Sequence, residues 1–192
     1  MKIILSPAKK MKVDTDALAY QELPIHLEQT KEILSWLQSK TYEELKTLWK
    51  CNDTIAWQNV ERLKDMDLYK NLTPAILAYE GIAYQYMAPT VFDEQQLAYV
   101  QEHLRILSAF YGVLKPMDGV TSYRLEMQAK ADVSSMKNLY EFWGERLYLA
   151  CKDEDGIIIN LASKNIQSAL KSFLCLPIHI LPVLFVRWTR EN

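Results

Sequence analysis

The side chains with the most chemistry to offer are basic and hydroxyl-bearing, and they follow apolar runs. After Ile3, Ile4 and Leu5 come Ser6, Pro7 and a lysine cluster, Lys9, Lys10 and Lys12. Ligands of open α/β sheets lie outside the carboxyl ends of strands, where lysines meet phosphate as point charges. Lys115 follows another apolar run in "VLKP", and "SYRLEM" sets Tyr123 beside Arg124, with Glu126 two residues on. A planar ring next to a guanidinium fork suits stacking and phosphate contact. Asn160 and Ser163 end the apolar stretch "GIIINLAS", where an amide and a hydroxyl can face a ligand or cap the next helix. On composition alone, each basic residue reads first as a solvated surface charge.

Other chemistries find little footing. The chain has 192 residues and only five glycines, with no G-x-G-x-x-G and no G-x-x-x-x-G-K-[ST]. Cys51, Cys151 and Cys175 are far apart and odd in number, so neither a zinc knuckle nor a redox dithiol is expected, and a reducing compartment fits. His26, His103 and His179 are isolated, without zincin or di-iron spacing. No G-x-S-x-G elbow occurs. No metal site, no cofactor and no defined catalytic motif is therefore expected, and whether the protein is an enzyme stays open. A net charge of −2 and a pI near 6.0 do not draw the whole chain to nucleic acid or membrane, so polyanion binding needs a local patch. The first apolar run is too short for a signal peptide, and the cytoplasm is the expected location.

The elements that must hold these residues read as mixed α/β in one domain. A strand is expected over 1–5, ended by Pro7. Helices are expected over 25–39, after the capping box of Thr41 and Glu44, and over 54–63. Asp93 with Gln96 opens a helix whose stripe runs Leu97, Val100, Leu104, Leu107, Tyr111, with Gly112 as its C-terminal cap. A helix over 139–151 and a buried strand in "GIIINLAS" follow. The last stretch, "FLCLPIHILPVLFVRWTREN", is apolar but carries Pro177 and Pro182. It reads as a buried strand pair rather than a membrane span.

Taken together, "ILSPAKKM", "HLRILSAFYGVLKPMD", "YRLEM", "LYEFWG" and "IINLAS" resemble, in this order, the motifs of the peroxide stress protein YaaA family. The resemblance runs over residues 1–163, and the pair "YGVLKP" and "YRLEM" is specific. It implies a cytosolic bacterial protein that protects against hydrogen peroxide and keeps free intracellular iron low. It also implies a mixed α/β fold with a helix-hairpin-helix-like element and a positively charged cleft that binds double-stranded or structured DNA. No reaction, cofactor or membrane partner comes with it. The matching positions are Ser6, Pro7, Lys9, Tyr111, Gly112, Lys115, Tyr123, Arg124, Glu126, Trp143, Gly144, Asn160 and Ser163. The chain departs at Tyr86, where many members have glycine, and after about Lys164. Residues 164–192 thus read as an atypical tail, C-terminally truncated relative to the family, which a one-base frame shift would explain.

Two ligand readings follow. In the DNA reading, Lys9, Lys10, Lys115 and Arg124 contact phosphates, Tyr123 stacks, and Ser6 and Asn160 support them. In the enzyme reading, Ser6, Lys9, Arg124 and Asn160 line a pocket for an anionic small molecule, with Glu126 as acid or base. Convergence in a narrow pocket favours the second; spread along an open groove favours the first. A third reading is an inactive truncated product.

Overall fold

Ile3, Ile4 and Leu5 sit at the centre of the architecture. In a computed structural model that describes residues 1–16, 18–171 and 179–182, they belong to β1 (Lys2–Leu5), the middle strand of a five-stranded sheet. In chain order there follow β2 (Lys10–Met11), α1 (Leu27–Gln38), α2 (Tyr42–Trp49), α3 (Asp53–Lys64), β3 (Thr73–Pro74), α4 (Ala75–Ala78), β4 (Tyr79–Glu80) and α5 (Ile82–Met87). The second half holds α6 (Glu94–His103), β5 (Leu104–Ser108), β6 (Gly112–Leu114), β7 (Gly119–Val120), α7 (Leu139–Trp143), α8 (Arg146–Cys151), β8 (Ile157–Asn160), α9 (Lys164–Lys171) and β9 (His179–Pro182). The sheet order is β6-β5-β1-β8-β9. β1 runs parallel to β5 and β8, β8 to β9, and β5–β6 is an antiparallel hairpin. The fold is mixed α/β in one domain.

Several local signals act as expected. The Thr41 hydroxyl accepts from the Glu44 N–H while the Glu44 carboxylate accepts from the Thr41 N–H, so both halves of the capping box are made. Asp93 and Gln96 do the same for α6.

The expected long helix after Asp93 is corrected. It stops at His103, and Leu104–Ser108 forms a strand paired with β1, Ile3 to Leu104 and Leu5 to Ile106. Leu104, Ile106, Leu107 and Ser108 are all buried. Their spacing suits a helix stripe, but a run apolar on nearly every residue also suits a strand covered on both faces. Here the exposed polar edges of β1 need partners, and pairing overrides the period. Gly112 is accordingly no helix cap. Its φ of +75° closes the β5–β6 hairpin, and a Cβ there would lie 2.7 Å from the Trp143 ring. Gly112→Ala is expected to lose roughly 2–4 kcal/mol from left-handed strain plus overpacking, read by urea unfolding. A loss under about 1 kcal/mol would show that the ring moves aside freely.

The expected helix over 139–151 is two short ones. Gly144, at φ 50° and ψ −136°, breaks it. The break lets Trp143 and Leu147, both fully buried, enter the core from different turns.

In the tail, β9 pairs parallel with β8 at the sheet edge, a position that tolerates Pro182. The pattern called for a strand pair; among the described residues the tail supplies this one strand. The frame-shift reading falls chiefly on residues 183–192, outside the described residues. No helix among the described residues is long and apolar enough to cross a membrane.

Candidate functional site

The parallel strands β1 and β8 end side by side, and a cleft of about 340 Å³ opens there. One wall is the Ser6–Lys9 loop that leaves β1, a second is the start of α9, and a third is the extended segment carrying Tyr123, Arg124 and Glu126. This is where an open parallel sheet presents ligands.

Ser6 ties the first two walls together. Its hydroxyl accepts from the Ser163 N–H at 2.8 Å and lies 3.2 Å from the Ser163 hydroxyl. The Ser6 carbonyl accepts from the Tyr84 hydroxyl at 2.9 Å. Asn160 does not line the cleft. It is buried, and its carbonyl oxygen accepts the Ala162 N–H at 2.9 Å, which shapes the turn from β8 to α9. Asn165 and Ile166 in the first turn of α9 line the cleft, so this helix brings its N-terminus there. The first N–H groups of a helix lack intrahelical acceptors and carry partial positive charge.

The third wall is held from behind. The Tyr111 hydroxyl accepts the Thr121 N–H at 3.0 Å, which fixes the chain just before Tyr123. Arg124 lines the cleft, and its buried Nε–H has no acceptor among the described residues. Glu126 pairs with Lys9 at 2.7 Å, so one ion pair links the first and third walls. Glu126 also accepts from the Gln128 side chain at 2.9 Å, which leaves it a tethered carboxylate.

Besides Asn160, two expected positions part from this constellation. Lys10 pairs with Glu80 at 3.0 Å and Lys115 with Glu22 at 2.8 Å, and neither lines the cleft. The positive charge expected along the cleft is therefore concentrated at Lys9, Arg124 and the start of α9. Tyr123 does line the cleft, but it is 6 % exposed and its ring stacks on Phe110 at 4.9 Å, with the rings of Tyr79 and Tyr111 edge-on. Its expected role as a stacking platform for a base is corrected: the ring belongs to the core, and the residue meets the cleft as part of its wall.

Sequence reading missed the group behind that wall. The Tyr123 hydroxyl lies 2.7 Å from the Ser108 hydroxyl and 3.0 Å from that of Tyr79. Burial raises the phenol of Tyr79 well above its usual range, and that of Tyr123 to about 12, so both stay protonated at neutral pH. No local pattern marks residues this far apart in the chain, because only the meeting of β4, β5 and the 123–128 segment assembles them.

The remaining reactive types lie elsewhere. Burial pushes the Cys151 thiol up to about 12, which makes it a poor nucleophile. His26, beside Trp143, has its pKa lowered by burial and by Arg146. Among the described residues no group of three or more His, Cys, Asp or Glu is placed to hold a metal ion.

Comparison with known proteins gives the family of the chain. A family model described as peroxide stress protein YaaA matches residues 1–191, past the point near residue 163 where the motifs stop. A UPF0246 protein of Agathobacter rectalis is 64% identical over 174 residues, which cover 91% of this chain and 70% of that one. Its counterpart in Pediococcus pentosaceus is 54% identical over 91% of this chain and 69% of its own. That of Lachnoclostridium phytofermentans is 50% identical over 96% and 72%. From the first strand to the end of the match, the chain belongs to the peroxide stress protein YaaA family, whose curated relatives carry the name UPF0246.

Proposed function

We propose that this protein serves the peroxide stress response in the cytoplasm by binding a small oxyanion, such as a phosphate or carboxylate group, in the cleft at the ends of β1 and β8. The observation that carries this reading is Arg124, a guanidinium whose Nε–H has no acceptor among the described residues and which lines a cleft that also receives Lys9 and the N-terminus of α9. Guanidinium forks, ammonium groups and helix N-termini share one preferred partner, an oxygen anion. In the free protein, Glu126 holds Lys9. An incoming anion competes with that carboxylate for the lysine. A lower level of free iron belongs to this proposal as a downstream effect of cleft occupancy.

Calorimetric titration with inorganic phosphate tests it. Arg124→Ala is expected to weaken binding at least tenfold, in line with loss of a charge-assisted hydrogen bond. Lys9→Ala is expected to weaken it only a few-fold, because that side chain is 66% exposed and screened. Equal affinity in wild type and Arg124→Ala would sink the proposal.

One observation favours a longer polyanion as a second reading. At Gln128 the cleft meets a wider depression whose lining includes Trp36 and three lysines, Lys40, Lys50 and Lys130, beside the carboxylates of Glu43, Glu44 and Asp132. DNA lying across both would bind with a steep salt dependence, and Lys130→Ala would weaken it as much as Lys9→Ala. Fluorescence anisotropy with a labelled duplex, read from low to physiological salt, separates the two readings. Binding that ignores salt, or that ignores Lys130, rejects the DNA path.

A further inference from the structure

An anion cleft has little obvious use for an acid, yet one stands in this cleft. Among the described residues that line it, Lys9 and Arg124 are the cations and Glu126 is the one carboxylate. The position of Glu126 is fixed from both sides. Leu125 and Met127 are buried, and the Glu126 carbonyl accepts the Ala129 N–H at 2.9 Å, so the backbone that carries the side chain is anchored. One carboxylate oxygen meets Lys9 at 2.7 Å and the other accepts from the Gln128 amide at 2.9 Å, and both partners line the cleft too. Lys9 comes from the first wall and Glu126 from the third, so their pair spans the cleft between them.

The two ends of that pair differ in freedom. The Glu126 side chain is 27% exposed, against 66% for Lys9. Lys9 can turn to an incoming anion, while Gln128 still holds Glu126. An anion on Lys9 therefore lies beside the carboxylate that shares the same ammonium. A carboxylate offers only acceptor oxygens, with roughly four lone-pair positions, and Lys9 and Gln128 leave some of these open. A ligand oxygen that brings a proton finds an acceptor there. A bare anionic oxygen meets like charge instead, which is costly away from bulk water.

We propose that Glu126 is a specificity-determining residue: its carboxylate accepts a hydrogen bond from the ligand, so the cleft takes an oxyanion that keeps a proton on one oxygen, hydrogen phosphate above all, and rejects a fully ionised anion of the same shape, such as sulfate. This rests on the reading of the cleft as an oxyanion site and names the ligand class within it. Esterified phosphate falls on the rejected side, because a monoester sheds its last proton at about pH 6 whereas free phosphate keeps one well above that. Free phosphate, rather than a phosphorylated metabolite or a lipid headgroup, is therefore the class that fits. One acceptor among donors discriminates by penalising the wrong ligand, not by gripping the right one harder.

The test is calorimetric titration of the full chain near pH 8 with inorganic phosphate, sulfate and methyl phosphate, as wild type, Glu126→Gln and Arg124→Ala. At that pH all three probes are chiefly dianions, and inorganic phosphate alone still carries a proton. The wild type is expected to bind phosphate roughly tenfold or more tightly than sulfate or methyl phosphate. Glu126→Gln, whose amide can donate to a bare oxygen, should bring the three within about twofold, mainly by tightening sulfate and methyl phosphate. A carboxylate that only positioned Lys9 would change all three alike. Wild-type affinities for phosphate and sulfate within about twofold of each other, or a preference that Glu126→Gln leaves unchanged, overturns this assignment. Phosphate binding that still falls in Arg124→Ala then leaves the oxyanion reading standing. If Glu126→Gln fails to fold, equal wild-type affinities overturn the assignment all the same. No phosphate binding by the wild type, or binding unaffected in Arg124→Ala, removes the oxyanion reading and this assignment with it.

Discussion

Trp143→Ala is expected to cost about 3–5 kcal/mol of folding stability, the range for emptying a buried aromatic site. Trp143 is fully buried, and its indole N–H donates to the Ala109 carbonyl at 2.9 Å. Its ring fills the space left by Gly112 and contacts the rings of His26 and Phe142 at 5.7 and 5.2 Å. Truncation therefore removes three things together: apolar contact, the partner of a buried carbonyl, and the clamp on the β5–β6 hairpin. Because a domain of this size has only about 5–15 kcal/mol of net stability, the variant should be half unfolded at mild urea concentrations. Trp143→Phe should lose less, since it keeps most of the ring contact and gives up chiefly the hydrogen bond. Ser108 starts that hairpin's turn, so the damage should also reach the Tyr123 hydroxyl bonded to it. A urea midpoint for Trp143→Ala within error of wild type would refute the clamp.

The second large effect concerns Asp118 and pH. This carboxyl is 1% exposed; one oxygen accepts the Lys115 N–H at 2.9 Å, and the other is buried without a partner among the described residues. Burial pushes its pKa from 3.8 up to about 7; the Lys115 N–H and the charges of Lys115 and Arg105 oppose the rise, and Glu22 adds to it. The sign follows directly. Between pH 3.8 and about 7 the folded chain keeps a proton that the unfolded chain has released. Asp118 therefore favours the fold most at low pH, and its contribution falls as pH rises through that window, by roughly 2–4 kcal/mol in all. Asp118→Asn removes the buried charge but leaves an amide N–H in place of the unpartnered oxygen, so its gain at pH 8 should be smaller, roughly 1–3 kcal/mol. The advantage should shrink steadily on acidification and vanish near pH 4. Thermal melts of both proteins from pH 4 to 8 give the comparison, and the difference between them isolates Asp118 from the other titrating groups. Parallel melting curves across that range would show that the carboxylate is solvated or compensated.

Residue patterns made much of the framework legible. Ile3 to Leu5 read as a strand because three branched apolar residues before a proline have few other uses. The caps at Thr41 and Asp93 were readable because a capping box is a contract between residues three apart. The region after Asp93 misled because helical spacing in a run this apolar does not distinguish a helix from a strand buried on both faces. The competing term, pairing with β1, lies about a hundred residues away in the chain. The cleft residues divided in the same way. Ser6, Lys9, Arg124 and Glu126 could be named from type and position, since basic and hydroxyl groups after apolar runs are placed to face a ligand. Lys10 and Lys115 looked equivalent to Lys9, yet Glu80 and Glu22 hold them elsewhere.

Sequence by itself determined the class of the fold, the family and the kind of charge available, because each depends on residue identity and short-range spacing. Tertiary structure alone decided which charges meet. It set Lys9 against Glu126, brought the start of α9 to the cleft that Arg124 lines, and put the Tyr123 ring in the core. The physical reason is that a charge or a proton acts through its neighbours in space. Those neighbours come from β4, β5, β8 and the 123–128 segment, which only the closed sheet and its packed helices bring within hydrogen-bonding distance.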